Sequence, residues 1–131
     1  MNPVVAYLVI GLGSALGGAA RYGCGVLAAS FWPVAFPWMT IFINTLGSFV
    51  IGLFATLTGP DGRVLIGTLW RQFVMVGLCG GYTTFSSFSL ETFALLRAGR
   101  PLAAGANVVL SLALCLAAVW VGHRIARRLN Q

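Results

Sequence analysis

Lysine is absent from this chain of 131 residues, and acid occurs only as Asp61 and Glu91. With 8% of residues charged, 59% hydrophobic and a mean hydropathy of +0.93, the chain has far more apolar side chain than a water-soluble domain of its size can bury. Water is thereby excluded as its solvent. Cysteine is scarce and unpaired in spacing: Cys24, Cys79 and Cys115 fall one in each of three hydrophobic segments, which argues against a disulfide framework or a zinc site and for buried thiols. The single histidine, His123, lies beside Arg124 at the end of the last hydrophobic segment, an interfacial position. The sequence also lacks a Ser/His/Asp set, a carboxylate pair and a phosphate-binding loop, so enzymatic chemistry has no residues to stand on.

What the chain does have is long apolar runs. A helix needs roughly 20 such residues to cross a bilayer, and there is room for four crossings: Val4 to Ser30, Trp38 to Leu57, Leu65 to Leu96 and Leu102 to Ile125. The pattern predicts an all-α integral membrane protein, a single four-helix transmembrane domain over residues 1–131 joined by hairpin loops. Pro33 and Pro37 punctuate the first connection, Gly59 to Gly62 the second, and Gly99 to Pro101 the third. The opening stretch lacks the basic start and cleavage-like end of a signal peptide. Net charge of +6 comes from eight arginines placed at helix ends, which fits lipid headgroups better than nucleic acid. Arg63, Arg71, Arg124, Arg127 and Arg128 share the side of the termini and Arg97 and Arg100 the other; this bias favours cytoplasmic termini but leaves insertion in both orientations open.

Several polar residues fall at membrane depth. Arg21 lies well inside the first segment, where a guanidinium needs either a polar neighbour or a helix end from which to reach the interface. Thr40, Asn44 and Ser48 recur every four residues and so share one helical stripe, as do Asn107, Ser111 and Cys115. Such stripes serve either as interhelical glue or as the lining of a pathway. The third segment is the most informative, running Gly77 to Glu91 through Gly80, Gly81 and six hydroxyl residues between Tyr82 and Ser89. Paired glycines and hydroxyl side chains weaken a helix, so a break is expected over Gly80 to Thr84. Irregular backbone at membrane depth is tolerated where it is buried in protein or lines a cavity, and its carbonyls can hold a cation.

These pieces together resemble one known family, the Fluc (CrcB) fluoride channels, and the resemblance runs through all four segments. It rests on Gly17 to Tyr22 with Arg21, on Thr40 to Gly47 with Asn44, on Gly80 to Ser89 with Glu91, and on Asn107 with Ser111. The third-segment run is the specific motif, and the others corroborate it. The resemblance implies an antiparallel, dual-topology homodimer with two fluoride pores and a central structural Na+, passively exporting fluoride across a bacterial inner membrane. By position it implies Phe85 and Phe88 as pore phenylalanines, Asn44, Thr84 and Ser111 as donors, and Asn107 on the same path. Arg21 and Glu91 would stand in the vestibule, and the Gly80 and Thr83 carbonyls would face sodium. Asn107 stands where some members have tyrosine, and Tyr82 fills a variable position.

The physics is compatible with that reading. A phenyl ring has a positive edge, and Phe85 and Phe88, three residues apart, can present edges to a small anion, although such a pair is also ordinary membrane packing. Gly13 with Gly17 and Gly77 with Gly81 form small-xxx-small pairs suited to a dimer contact or to packing within one subunit. Two other classes remain open. A small multidrug exporter would need a membrane-embedded carboxylate in the first helix, where this chain has Arg21. A non-transporting subunit whose polar stripes dock a partner would be silent when purified alone.

Overall fold

A computed structural model of the chain describes residues 2–32 and 35–131; Pro33, placed above in the first connection, lies outside the described residues. The helices are α1 (Pro3–Ala28), α2 (Trp38–Leu57), α3 (Thr68–Gln72), a π-helical stretch (Phe73–Cys79), α4 (Gly80–Tyr82), α5 (Phe85–Arg97) and α6 (Pro101–Leu129). Four runs are long and apolar enough to cross a membrane: Pro3–Ala28, Trp38–Leu57, Thr68–Arg97 and Pro101–Leu129. The third contains everything from α3 to α5.

Local chemistry sets the ends of these runs. Pro3 supplies a pre-set φ at the start of α1, and the Asn2 side chain accepts the Val4 N–H at 2.9 Å. Between α5 and α6, Gly99 takes a φ of +70°, which lets the Arg100 N–H turn back to the Leu95 carbonyl at 3.0 Å before Pro101 opens the next helix. The Arg100 guanidinium then donates to the Ala35 carbonyl at 2.6 Å and ties the first and third connections together. Two boundaries differ from expectation. The third run starts at Thr68 because residues 63–67 are non-helical and Val64 instead donates back to the Leu57 carbonyl. The fourth continues past Ile125 to Leu129, its last turn carrying Arg127 and Arg128, whose charge suits the negative end of a helix.

Packing pairs α1 with the third run and α2 with α6, while α5 lies on α6. Glycine makes both close pairings possible. A Cβ on Gly13 would lie 2.7 Å from the Phe73 carbonyl oxygen, and one on Gly77 2.9 Å from that of Ile10; one on Gly17 or Gly81 would overlap the Leu78 or Ser14 carbonyl. The two small-xxx-small pairs, weighed above as a dimer contact, thus face each other inside one subunit. Gly52 and Gly122 play the same part between α2 and α6.

The resulting distribution is inverted relative to a soluble protein. Buried polar residues include Thr40, Thr84, Asn107 and Ser111, and Asn107 is the largest fully buried side chain, at 1% exposure. Leu102, Leu65, Phe31 and Tyr7 meanwhile stand on the outside. Polar groups inside and apolar groups outside is the arrangement hydrocarbon solvent selects, because it draws polar groups away from lipid. The chain is a membrane protein.

Candidate functional site

The third run changes character at its middle. Helix α4 ends at Tyr82, Thr83 (φ −82°, ψ 160°) and Thr84 (φ −151°, ψ 116°) are extended, and α5 begins at Phe85. Gly80, Gly81 and Tyr82, expected to be irregular, are helical: Gly81 lies against the Ser14 backbone of α1, and this packing outweighs the low helix propensity of glycine. The helical stretch before them is of the wide π type, a form frequent at functional sites.

Each backbone group freed by the two extended residues needs a partner at membrane depth. Thr83 donates to the Cys79 carbonyl through both its N–H (3.0 Å) and its hydroxyl (2.9 Å). The Thr84 N–H, which a continuing helix would give to the Gly80 carbonyl, goes instead to Asn44 Oδ1 at 2.8 Å. Asn44 Nδ2 donates in return to the Thr84 carbonyl at 3.0 Å. A single amide from α2 therefore replaces both bonds that Thr84 forgoes. The Thr84 hydroxyl accepts the Ser87 N–H at 3.2 Å and so caps α5.

Thr84 stands between two cavities. The first, of about 320 Å³, is lined by Asn44, Ser48, Phe85, Phe88 and Ser111 on its polar and aromatic side and by Met75, Cys79, Leu112 and Cys115 elsewhere. The Phe85 and Phe88 rings stand 5.3 Å apart at 54°. Phe85 is 76% exposed, so one subunit covers little of it. The second cavity, of about 360 Å³, is lined by Arg21, Trp32, Thr40, Ser87 and Glu91. There Thr40 donates to Glu91 Oε1 at 2.7 Å, while Glu91 Oε2 is buried without a partner among the described residues.

The structure thus brings Asn44, Thr84, Phe85, Phe88 and Ser111 to one cavity and Arg21 and Glu91 to the other. Asn107 borders neither. It lies behind Ser111, accepting the Ser111 hydroxyl at 3.4 Å and donating to Thr92 Oγ1 at 2.8 Å, while Thr92 donates to the Phe88 carbonyl at 2.7 Å. Thr92, the middle member of this ladder, escaped the sequence reading, although it continues the four-residue spacing of Thr84 and Phe88.

Comparison with known proteins settles the kinship. Residues 8–123 match the family model described as CrcB-like protein, Camphor Resistance (CrcB). The chain belongs to the CrcB-like family. Relatives named fluoride-specific ion channel FluC include one from Rhodospirillum rubrum, 57% identical over 125 residues, covering 95% of this chain and 97% of that protein. One from Paramagnetospirillum magneticum is 55% identical over 128 residues, covering 98% and 100%, and one from Opitutus terrae is 56% identical over 124 residues, covering 95% and 94%. The CrcB-matched stretch takes in both cavities and stops one residue short of Arg124.

Proposed function

We propose that the chain is one subunit of a fluoride-selective channel, an antiparallel homodimer with two pores that passively exports fluoride across a bacterial inner membrane. The observation that carries this reading is the first cavity: two phenyl rings and the donor-bearing side chains of Asn44, Ser48, Thr84 and Ser111 border one space inside a membrane-embedded helix bundle. Chains over half identical to this one bear the name of fluoride channels, which gives the substrate.

The chemistry follows from what fluoride requires. Its water is tightly held, so a pathway must replace that water with donors of nearly balanced strength, neither rejecting the ion nor trapping it. Phenyl edges supply weak positive potential without a full charge. Asn44 has one amide hydrogen left after its bond to Thr84, and Ser111 binds Asn107 at a long 3.4 Å, so turning its hydroxyl toward an anion costs little. Arg21 in the second cavity favours anions over cations at the entrance, with Glu91 on the wall of the same cavity. The exposed Phe85 ring supports a second copy, which would close the wall that one subunit leaves open.

Sodium would be held at the dimer centre by the carbonyls of Gly80 and Thr83. The residues fit a hard cation: the Thr84 N–H is diverted from Gly80 to Asn44, and the extended Thr83 backbone turns its own carbonyl out of the helical direction. The ion would supply positive charge that fixes the crossing of the two chains.

Fluoride efflux from liposomes containing only the purified protein, followed with a fluoride electrode, tests the function. Rapid loss of fluoride with chloride retained is expected. Folded, dimeric protein that passes neither ion would instead favour a subunit that works only with a partner.

A further inference from the structure

The CrcB match stops at His123, yet α6 runs on to Leu129 and carries its densest charge there. Arg124, Arg127, Arg128 and Gln131 line a recess of about 210 Å³ with no acidic side chain on its wall. An adjoining recess shares Arg127 and Gln131 and adds Asp61 and His123; the His123 Nδ1 is 2.9 Å from Thr56 Oγ1. The Thr56 hydroxyl already donates to the Gly52 carbonyl, so the histidine is the donor in that pair and its Nδ1 is committed to the fold.

Position on the helix gives the recess a direction. Leu116, Trp120 and Arg124 follow one another at four-residue steps, Arg127 and Arg128 lie three and four residues beyond Arg124, and together they form a stripe opposite the buried Gly122 and Ala126. Leu116 and Trp120 are exposed, and the Arg124 guanidinium lies 5.5 Å from the Trp120 ring centroid. Cation–π contact of this kind holds the arginine against the ring. The stripe therefore runs from apolar, through an indole suited to the membrane interface, to three positive charges within about three turns. An acyl chain, a glycerol region and a phosphate follow one another in that same order.

We propose that this outward face of α6 is a headgroup site for an anionic phospholipid, with the phosphate held by Arg124, Arg127 and Arg128 and one acyl chain lying along Trp120 and Leu116. Bidentate geometry makes arginine the better phosphate ligand, and the absence of lysine from the chain leaves this task to arginine alone. The site is separate from both cavities and does not depend on what they conduct.

Native mass spectrometry of the purified protein in micelles holding equal phosphatidylglycerol and phosphatidylcholine tests the site. Bound phosphatidylglycerol should exceed phosphatidylcholine by about a hundredfold, since each of the three arginines near an anionic headgroup is worth roughly a fivefold change in affinity. Arg124→Gln/Arg127→Gln/Arg128→Gln should bring the two lipids to near parity, whereas Arg97→Gln/Arg100→Gln, at the other end of the helices, should leave the preference in place. If the triple variant does not fold, Arg127→Gln alone should cut the preference by about fivefold. Wild-type protein without preference, a preference that survives removal of the three arginines, or adducts displaced by excess inorganic phosphate would each overturn the proposal.

Discussion

Two asparagines make the same pair of bonds at two depths of this molecule. Asn44 accepts the Thr84 N–H and donates to the Thr84 carbonyl; Asn130 accepts the Arg63 N–H at 3.0 Å and donates to the Thr56 carbonyl at 3.2 Å. Asn130 stands at the end of α6, where it clasps the connection between α2 and α3 beside water. Asn44 lies mid-span, against a buried threonine. The bonds match, but the alternatives differ. Water can replace the amide at the membrane edge, whereas the Thr84 backbone is buried in the bundle, where an unpaired N–H or carbonyl goes unsatisfied. Depth, more than the bond itself, decides what each asparagine contributes.

The largest expected effect comes from removing the deep clasp. Asn44→Leu keeps the branched shape and leaves the Thr84 N–H and carbonyl without their partner; at about 1–3 kcal/mol per unsatisfied buried group, denaturant midpoints should fall clearly and fluoride flux should be lost. Next is Phe85→Ile. Its ring is mostly outside the subunit fold, so flux in fluoride-electrode assays should drop at least about tenfold while thermal stability of the monomer fold barely moves, which separates pathway from scaffold. Asn107→Leu should come third: it strands Thr92 and Ser111 between α5 and α6, costing roughly 1–3 kcal/mol by chemical denaturation, with flux reduced through a displaced Ser111. The smallest effect belongs to Asn130→Ala, expected to cost no more than about 1 kcal/mol and to leave flux unchanged. If Asn130→Ala proved as damaging as Asn44→Leu, depth would not be the deciding variable.

Much of this was legible in the sequence, for reasons that particular residues make plain. The four runs follow from apolar length alone, and Pro3, Pro101 and Gly99 mark the ends by rules of backbone geometry. The polar residues of both cavities and the phenylalanine pair were named from polar spacing and from family resemblance; the apolar lining was not. What escaped is tertiary. Asn44 and Thr84 are 40 residues apart, and nothing in either stripe says that the amide would close on that one peptide. Gly80 and Gly81 look like a break in sequence but remain helical, because α1 presses its backbone against Gly81. The glycine pairs read equally well as a contact between subunits until Gly13 and Gly77 are seen to meet within one. Asn107 belongs to a polar stripe, yet burial at 1% exposure makes it a support for Ser111 and not a wall of the cavity.

One measurement puts the contrast between the two asparagines to a direct test: fluoride efflux from liposomes carrying Asn44→Asp or Asn130→Asp, each checked for folding and dimerisation. The substitution is the same at both sites; it keeps an acceptor for the backbone N–H, removes the donor and adds a negative charge. At position 44 that charge borders the cavity assigned to fluoride, where like charges a few ångströms apart repel by several kcal/mol at an effective dielectric near 20, so flux should fall by at least about a hundredfold. At position 130 flux should match the unsubstituted protein. Equal flux from folded dimers of both variants would contradict the account, because it would remove Asn44 and its cavity from the path of the ion.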